Sequence, residues 1–325
     1  MLTTDLIEEA AAFLEGRVRR TPVEYAPQLS EEVGVPVWLK CEHLQVTGSF
    51  KVRGALFRMS RLTAAERRAG VVTCSAGNHG KGLAYAARLM QVHATVYVPA
   101  TIDAAKYRAM LALGAEVIRT PYPGYDEAEA FALAEAERTG RPFISAFDEV
   151  AIMAGNGGTL AQEILEQVPD VQGCFVPVGG GGLAAGFTFW LRDKAPHVKV
   201  MGCQHEDSAA LLASLMLGRV VTGMAPIATV AGGIEGGIGH NTFAVLQGRI
   251  DGVVTAGESE LCEAVRWMLD HHQYLVEPSA AVTIACLRKG MLPPDKGPVV
   301  VVLSGRNVSL ETLRTILEEG RKLTR

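Results

Sequence analysis

At 325 residues the chain is long enough for two domains or one large α/β unit, and at 48% hydrophobic but only 6% aromatic its core must be built mainly from Ala, Val, Leu and Ile. A net charge of −4 without a long basic run gives nucleic acid no electrostatic footprint, and no apolar run approaches the roughly 20 residues that span a bilayer, so the expected partner is a small molecule. The opening MLTTDLIEEAAAFLEG lacks a charged-then-apolar signal pattern, and Cys41, Cys74, Cys174, Cys203, Cys262 and Cys286 form no CxxC pair; reduced thiols in a cytoplasm are expected, with no metal site.

Leu44 to Ala55 reads LQVTGSFKVRGA, and Lys51 stands there between Phe50 and Val52, where a solvated lysine would have polar company. GVVTCSAGN then reads as a strand into a loop, and HGKGLAYAARLM as a helix with Leu83, Ala87 and Met90 on one face. ATVYVP is the next strand, DAAKYRAMLALG a helix ending at Gly114, and AEVIRT another strand. The turn-rich RTPYPGYDE, Arg119 to Glu127, is expected near a domain edge. GCFVPVGGGG is a strand into a glycine loop, LAAGFTFWLR a helix, VKVMGCQ a strand and SELCEAVRWMLDHH a helix. The valine run of GPVVVVLSGRN predicts a strand buried on both faces. This alternation predicts parallel sheets covered by helices, and the lack of a clean linker predicts domains that interleave.

The glycine loops carry the chemistry. VPVGGGGLAAG sets Gly179, Gly180, Gly181 and Gly182 between a strand and a helix, where bare backbone approaches an anion closely and the helix start offers unpaired N–H groups. The loop has no Lys or Arg, so a phosphate there is held by backbone donors and the helix dipole. Two other readings stay open. Gly180, Gly182 and Ala185 also fit the dinucleotide fingerprint, with Glu206 as an acid set somewhat beyond the strand end, which implies an NAD-dependent oxidoreductase. A glycine turn can also be purely structural. SAGNHGKG, Ser75 to Gly82, is a second strand-to-helix loop, in which Ser75 and Asn78 are helix-capping types. AGGIEGG is a third loop, with VEPSAA and LSGRN further on. A reactive lysine, a phosphate cradle without bases and several backbone-rich loops suit a phosphorylated aldehyde cofactor bound as a Schiff base.

Taken together, TGSFKVRGA, SAGNHGKG, VPVGGGGLAAG, TVAGGIEGGIGHNTF, EPSAA and VVLSGRN resemble, in order and over nearly the whole chain, the serine/threonine dehydratase family of pyridoxal-phosphate enzymes. That family has the tryptophan-synthase-β-like fold, fold type II, and includes serine racemase. The resemblance implies an α/β protein of two interleaved domains, each an open, mostly parallel sheet with helices on both faces. Residues 1–72 with 148–325 would form the large cofactor-binding domain and 73–147 the small one. It implies pyridoxal 5'-phosphate joined to Lys51, which then removes the Cα proton of the substrate; an apolar pocket lowers the lysine pKa and frees the amine for this. Phe50 would pack on the cofactor ring and Asn78 would bond its ring oxygen. Gly179 to Gly182 with Leu183 would hold the phosphate, Gly233 and Glu277 would lie close by, and Ser304 would face the ring nitrogen. Ser75, Ala76, Gly77, Asn78 and His79 would receive the substrate carboxylate. A neutral serine opposite the ring nitrogen makes a weak electron sink, which suits β-elimination of water from a 3-hydroxy amino acid and disfavours transamination. A homodimer is implied as well.

Departures from the family narrow the reading. Racemisation needs a second acid/base on the substrate face opposite the lysine, and Ala76 stands where serine racemase has a serine, so dehydration to a 2-keto acid and ammonia is expected over racemisation. Gln204, Ser208 and Ala210 align with the cation ligands of some relatives, which leaves no family-type metal site; Glu206 and Asp207 read as hydrated acids, and His271 with His272 make no i, i+4 pair. Gly232 replaces a common Asp, Phe147 sits where threonine-directed relatives have an aromatic, and Glu127 replaces an arginine clamp. Threonine, serine or 3-phenylserine is therefore expected over 3-hydroxyaspartate. The chain ends shortly after SGRNVSLETLRTILEEGRKLTR, so a C-terminal amino-acid-sensing domain is not expected.

Overall fold

Short runs of β-branched and small apolar residues supply nine strands among residues 1–290 and 297–323, which the computed structural model describes. They are β1 (Val23–Tyr25), β2 (Val37–Lys40), β3 (Val71–Cys74), β4 (Ala94–Val98), β5 (Glu116–Arg119), β6 (Gly173–Pro177), β7 (Lys199–His205), β8 (Gly252–Ala256) and β9 (Val299–Val302). Six form one sheet in the order β1-β2-β9-β6-β7-β8, parallel except where β1 meets β2. The other three form a parallel sheet, β3-β4-β5.

The valines of β9 show why the larger sheet is sandwiched. Successive side chains of a strand point to opposite faces, and all four are buried. Val300 and Val302 join the cluster of Leu183, Ala184, Phe187 and Leu191 from the Gly182–Lys194 helix. Val299 and Val301 face the Pro278–Arg288 helix, through Ala281, Val282 and Ile284. The expected burial on both faces is therefore met by a helix on each side.

The smaller sheet is covered in the same way. Cys74, Val72 and Tyr97 pack on Ala128, Ala132 and Ala136 of the Tyr125–Thr139 helix. On the other side, Val71 and Ala94 share a cluster with Leu83 and Ala87 of the Asn78–Met90 helix and with Val52, Leu56 and Met59 of the Lys51–Ser60 helix. Gly82 permits that close crossing, since a Cβ there would lie 3.1 Å from the Val52 nitrogen. The helix expected to end at Gly114 stops at Ala112, and Gly114 takes the left-handed conformation at φ +89° that redirects the chain into β5.

From β6 the chain proceeds outward through β7 and β8, then returns to β9 on the other side of β6. A reversal of this kind leaves a crevice outside the carboxyl ends of the two strands, where ligands bind in open α/β sheets. The Gly179–Gly182 loop follows β6 and the Ser304–Asn307 segment follows β9. Among the described residues no helix is long and apolar enough to cross a membrane.

Candidate active site

Lys51 begins its helix, and its position is set by stitching to the segment after β9. The Phe50 amide donates to the Ser304 carbonyl at 3.1 Å, the Arg306 amide to the Gly48 carbonyl at 2.9 Å, and Ser49 forms an antiparallel bridge with Gly305. Lys51 and Ser304 are thereby brought to one crevice. The Lys51 Nζ donates to the Ala146 carbonyl at 2.7 Å and lies 5.3 Å from the centre of the buried Phe50 ring. Burial lowers the lysine pKa to about 8, against a smaller opposing pull from Glu277. Near physiological pH a minority of the amine, on the order of a tenth to a fifth, is therefore neutral, far more than for an ordinary lysine. In the apoprotein, labelling of Lys51 by an amine-selective reagent, followed by peptide mass spectrometry, is expected to accelerate with pH and level off above about 8. A rate still climbing towards about pH 10 would mark an ordinary lysine.

In the second loop the side chains do not cap the helix. Ser75 and Asn78 do not cap the Asn78–Met90 helix; Gly77 is the capping residue, and the Ser75 Oγ accepts from the Gly77 amide at 3.2 Å. Asn78 instead reaches across the crevice. Its Nδ2 donates to the Glu277 Oε1 at 2.6 Å and its Oδ1 accepts from the Asn307 Nδ2, also at 2.6 Å. Asn307 in turn accepts from the Lys81 Nζ at 2.8 Å. Lys81 is half-buried, and burial followed by the Arg306 charge lowers its pKa. Burial raises the Glu277 carboxyl above its ordinary value, outweighing the Asn78 bond and the nearby lysines. Gly305 must lack a side chain here, because a Cβ would overlap the Glu277 carboxylate. His79 is buried, and burial followed by the Lys51 charge lowers its pKa to about 3. It is neutral at physiological pH.

The tetraglycine loop is packed too closely against its neighbours to carry side chains. A Cβ on Gly179 would lie 2.6 Å from the Gly233 carbonyl oxygen, one on Gly180 would overlap the Phe147 ring, and one on Gly182 would lie 2.7 Å from the Phe147 carbonyl. Gly181 is left-handed at φ +91° and opens the 13-residue Gly182–Lys194 helix, whose first N–H groups and dipole would favour an anion bound in the loop. The Thr242 Oγ1 donates to the Gly180 carbonyl at 2.8 Å, while the Thr242 amide donates to the Asp148 Oδ1 at 2.9 Å. Asp148 follows Phe147, so this chain ties the cradle to the loop whose Ala146 carbonyl holds Lys51. Gly233 donates its own amide to the Ser279 Oγ at 2.9 Å, beside Gly179. A buried amine of lowered pKa facing a backbone phosphate cradle fits a phosphorylated aldehyde.

A model of the pyridoxal-phosphate dependent enzymes matches residues 14–305. The chain belongs to that family. Pyridoxal phosphate is therefore its cofactor, and the dinucleotide reading of Gly180, Gly182 and Ala185 falls away; the Glu206 carboxylate lies instead against Gly257. Within the family the chain sits with the serine/threonine dehydratases. It is 38% identical to L-threonine ammonia-lyase of Geobacter sulfurreducens, over 98% of this chain and 79% of that one. L-threo-3-hydroxyaspartate ammonia-lyase of a Pseudomonas species is 35% identical, over 95% and 97% of the two chains. Serine racemase of Dictyostelium discoideum has the same fold, with a TM-score of 0.88 at 32% identity over 95% of this chain and 99% of its own. As for the cation ligands of some family members, the Gln204 Oε1 accepts the Leu211 and Leu212 amides at 3.1 Å each, and the Ser208 Oγ accepts the Gly236 amide.

Sequence reasoning missed the partners that hold the site. Asn307 and Thr242 lay within quoted segments without a role, and the Ala146 carbonyl belongs to the backbone, which no side-chain pattern reveals. His271 and His272 pack on Trp267 at ring-centre distances of 4.5 and 5.3 Å, an aromatic cluster away from the crevice.

Proposed function

We propose that the protein is a pyridoxal-phosphate-dependent ammonia-lyase that removes water from a 3-hydroxy amino acid, threonine, serine or a bulkier analogue such as 3-phenylserine, to give a 2-keto acid and ammonia. One observation carries the reading: the Lys51 amine, buried against the Phe50 ring and the Ala146 carbonyl with its pKa lowered to about 8, is a base suited to proton abstraction. The names of the relatives support the same reaction class.

When bound, the cofactor withdraws electrons from the amino acid attached to it and acidifies the Cα–H. The chain supplies the rest. Gly179 to Gly182 and Leu183 hold the phosphate through backbone N–H groups, with Gly233 alongside. Phe50 packs against the ring and Asn78, braced by Glu277 and Asn307, bonds its oxygen. The neutral Ser304 hydroxyl would lie towards the ring nitrogen and, unlike a carboxylate, would not favour its protonation. Ser75, Ala76, Gly77, Asn78 and His79 receive the substrate carboxylate, with His79 a neutral donor. Lys51 takes the Cα proton. Ala76 carries no ionisable group for the opposite face, which favours elimination over the racemisation suggested by the serine racemase fold. The division into 1–72 with 148–325 and 73–147, and a cytoplasmic homodimer, belong to the same proposal.

Phe147 lies over Gly180 at the crevice and Glu127 is exposed on its helix, so neither offers a cation to a second substrate carboxylate. The test is a panel of L-threonine, L-serine, 3-phenylserine and 3-hydroxyaspartate, reading keto acid and the enantiomer of recovered substrate. Keto acid from a substrate with an uncharged side chain, formed faster than the opposite enantiomer, is expected. Keto acid from 3-hydroxyaspartate alone overturns the substrate assignment, and interconversion of enantiomers without keto acid overturns the reaction.

A further inference from the structure

The Lys51–Ser60 helix has an unusual start. Its capping residue, Phe50, has no side-chain acceptor, and the Phe50 carbonyl takes the Arg53 amide at 3.0 Å, which leaves the Gly54 amide to find another partner. That partner comes from a distant segment: the Asn156 Oδ1 accepts the Gly54 amide at 2.8 Å. Asn156 is buried and sits in the middle of a single π-helical turn, Ala154–Gly158, a local widening that recurs at functional sites.

Both sides of this turn meet backbone. On one side, a Cβ at Gly155 would lie 2.8 Å from the Gly54 Cα, and one at Gly54 would lie 2.7 Å from the Asn156 amide. On the other, a Cβ at Gly157 would overlap the Leu183 carbonyl, and one at Gly186 would overlap the Met153 carbonyl. Leu183 and Gly186 belong to the helix that opens at the tetraglycine cradle. One turn is thus wedged between the helix that begins with Lys51, which it meets through the Gly155 backbone and the Asn156 side chain, and the helix that begins at the cradle, which it meets through backbone alone.

We propose that the Ala154–Gly158 turn sets the separation between the Lys51 amine and the phosphate cradle, with Asn156 as a positioning residue that caps the lysine helix from across the core. The inference rests on the cofactor reading above and extends it to residues that do not touch the cofactor. A ligand gripped at both ends gains from the second grip only when the two grips are held at the right separation. Pyridoxal phosphate engages both anchors, pyridoxal the amine alone and inorganic phosphate the cradle alone.

The experiment compares the apoproteins of wild type, Asn156→Leu and Asn156→Asp. Asn156→Leu is expected to weaken pyridoxal phosphate binding about tenfold, the scale of one buried hydrogen bond lost, while pyridoxal and inorganic phosphate bind as in wild type. Asn156→Asp, whose buried carboxyl keeps the acceptor and the shape of the amide when held protonated, is expected to restore most of the loss. Hydrogen exchange over residues 51–56, read without any ligand, is expected to speed at Gly54 in the leucine variant. Equal weakening of all three ligands, unchanged binding of pyridoxal phosphate, or unchanged exchange at Gly54 in the leucine variant overturns the inference; should that variant not fold, failure of the aspartate variant to bind like wild type does the same. A wild-type protein that binds pyridoxal and phosphate separately, but pyridoxal phosphate no more tightly, also overturns it. Wild type that takes up none of the three overturns the cofactor reading and the inference with it.

Discussion

Replacing Lys51 by alanine is expected to leave a folded, colourless protein whose keto-acid release falls by at least about 10⁴-fold, the upper range for loss of a single acid/base group. The fold survives because the side chain contributes one hydrogen bond, to the Ala146 carbonyl, and its removal relieves the burial of a charge. Turnover does not survive, because the same amine anchors the cofactor and takes the Cα proton. Lys51→Arg is expected to be equally inactive: a guanidinium stays protonated at any working pH and offers no lone pair. Absorbance of the purified proteins and a coupled keto-acid assay measure both effects. A colourless Lys51→Ala protein with wild-type turnover would remove Lys51 from the mechanism.

That prediction draws on parts of the molecule that were legible in the sequence to different degrees. Strands such as β9 declared themselves, because four valines in a row need burial on both sides. The loops after β3, β6 and β9 were legible as glycine and small-residue clusters at strand ends. Their convergence was not, since it depends on the reversal of strand order at β6. Asn78 shows the limit of local reasoning: at a helix start its type favours capping, but Glu277 and Asn307, far away in the chain, offer its amide stronger partners. Lys81 shows the same limit, for nothing near it in sequence announces the Asn307 oxygen. Asn156 and Arg53 were silent altogether. Their meaning lies in what they touch across the core.

Arg53 carries the second large effect. It lies on the lysine helix, is fully buried, and grips two carboxylates. Its Nε and Nη2 bond Glu42 at 2.8 and 2.7 Å, and its Nη1 and Nη2 bond Glu163 at 2.7 and 3.1 Å. Lys40, equally buried, joins Glu163 at 2.6 Å and the Thr21 carbonyl at 2.9 Å, while Thr21 donates to Glu42 at 2.6 Å. Two cations and two anions thus balance, with Lys40, Glu42 and Arg53 buried and Glu163 at the partly exposed edge. Truncating one member of such a set strands a buried charge, so Arg53→Ala is expected to cost about 3–5 kcal/mol of stability, read as a lower urea midpoint at unchanged slope. Burial pushes the Glu42 carboxyl up, but Arg53 and Lys40 together hold it below its ordinary value. A depressed carboxyl contributes stability that is present above its unfolded pKa and is lost as the pH falls through the folded one. In wild type the loss therefore begins only in acid, below the ordinary carboxylate range. In Arg53→Ala the desolvated Glu42 takes up a proton at higher pH, and the variant is expected to recover part of its deficit relative to wild type as the pH is lowered from 7 to 5. A deficit that is constant over that interval would mean that Glu42 never depended on Arg53 to stay ionised.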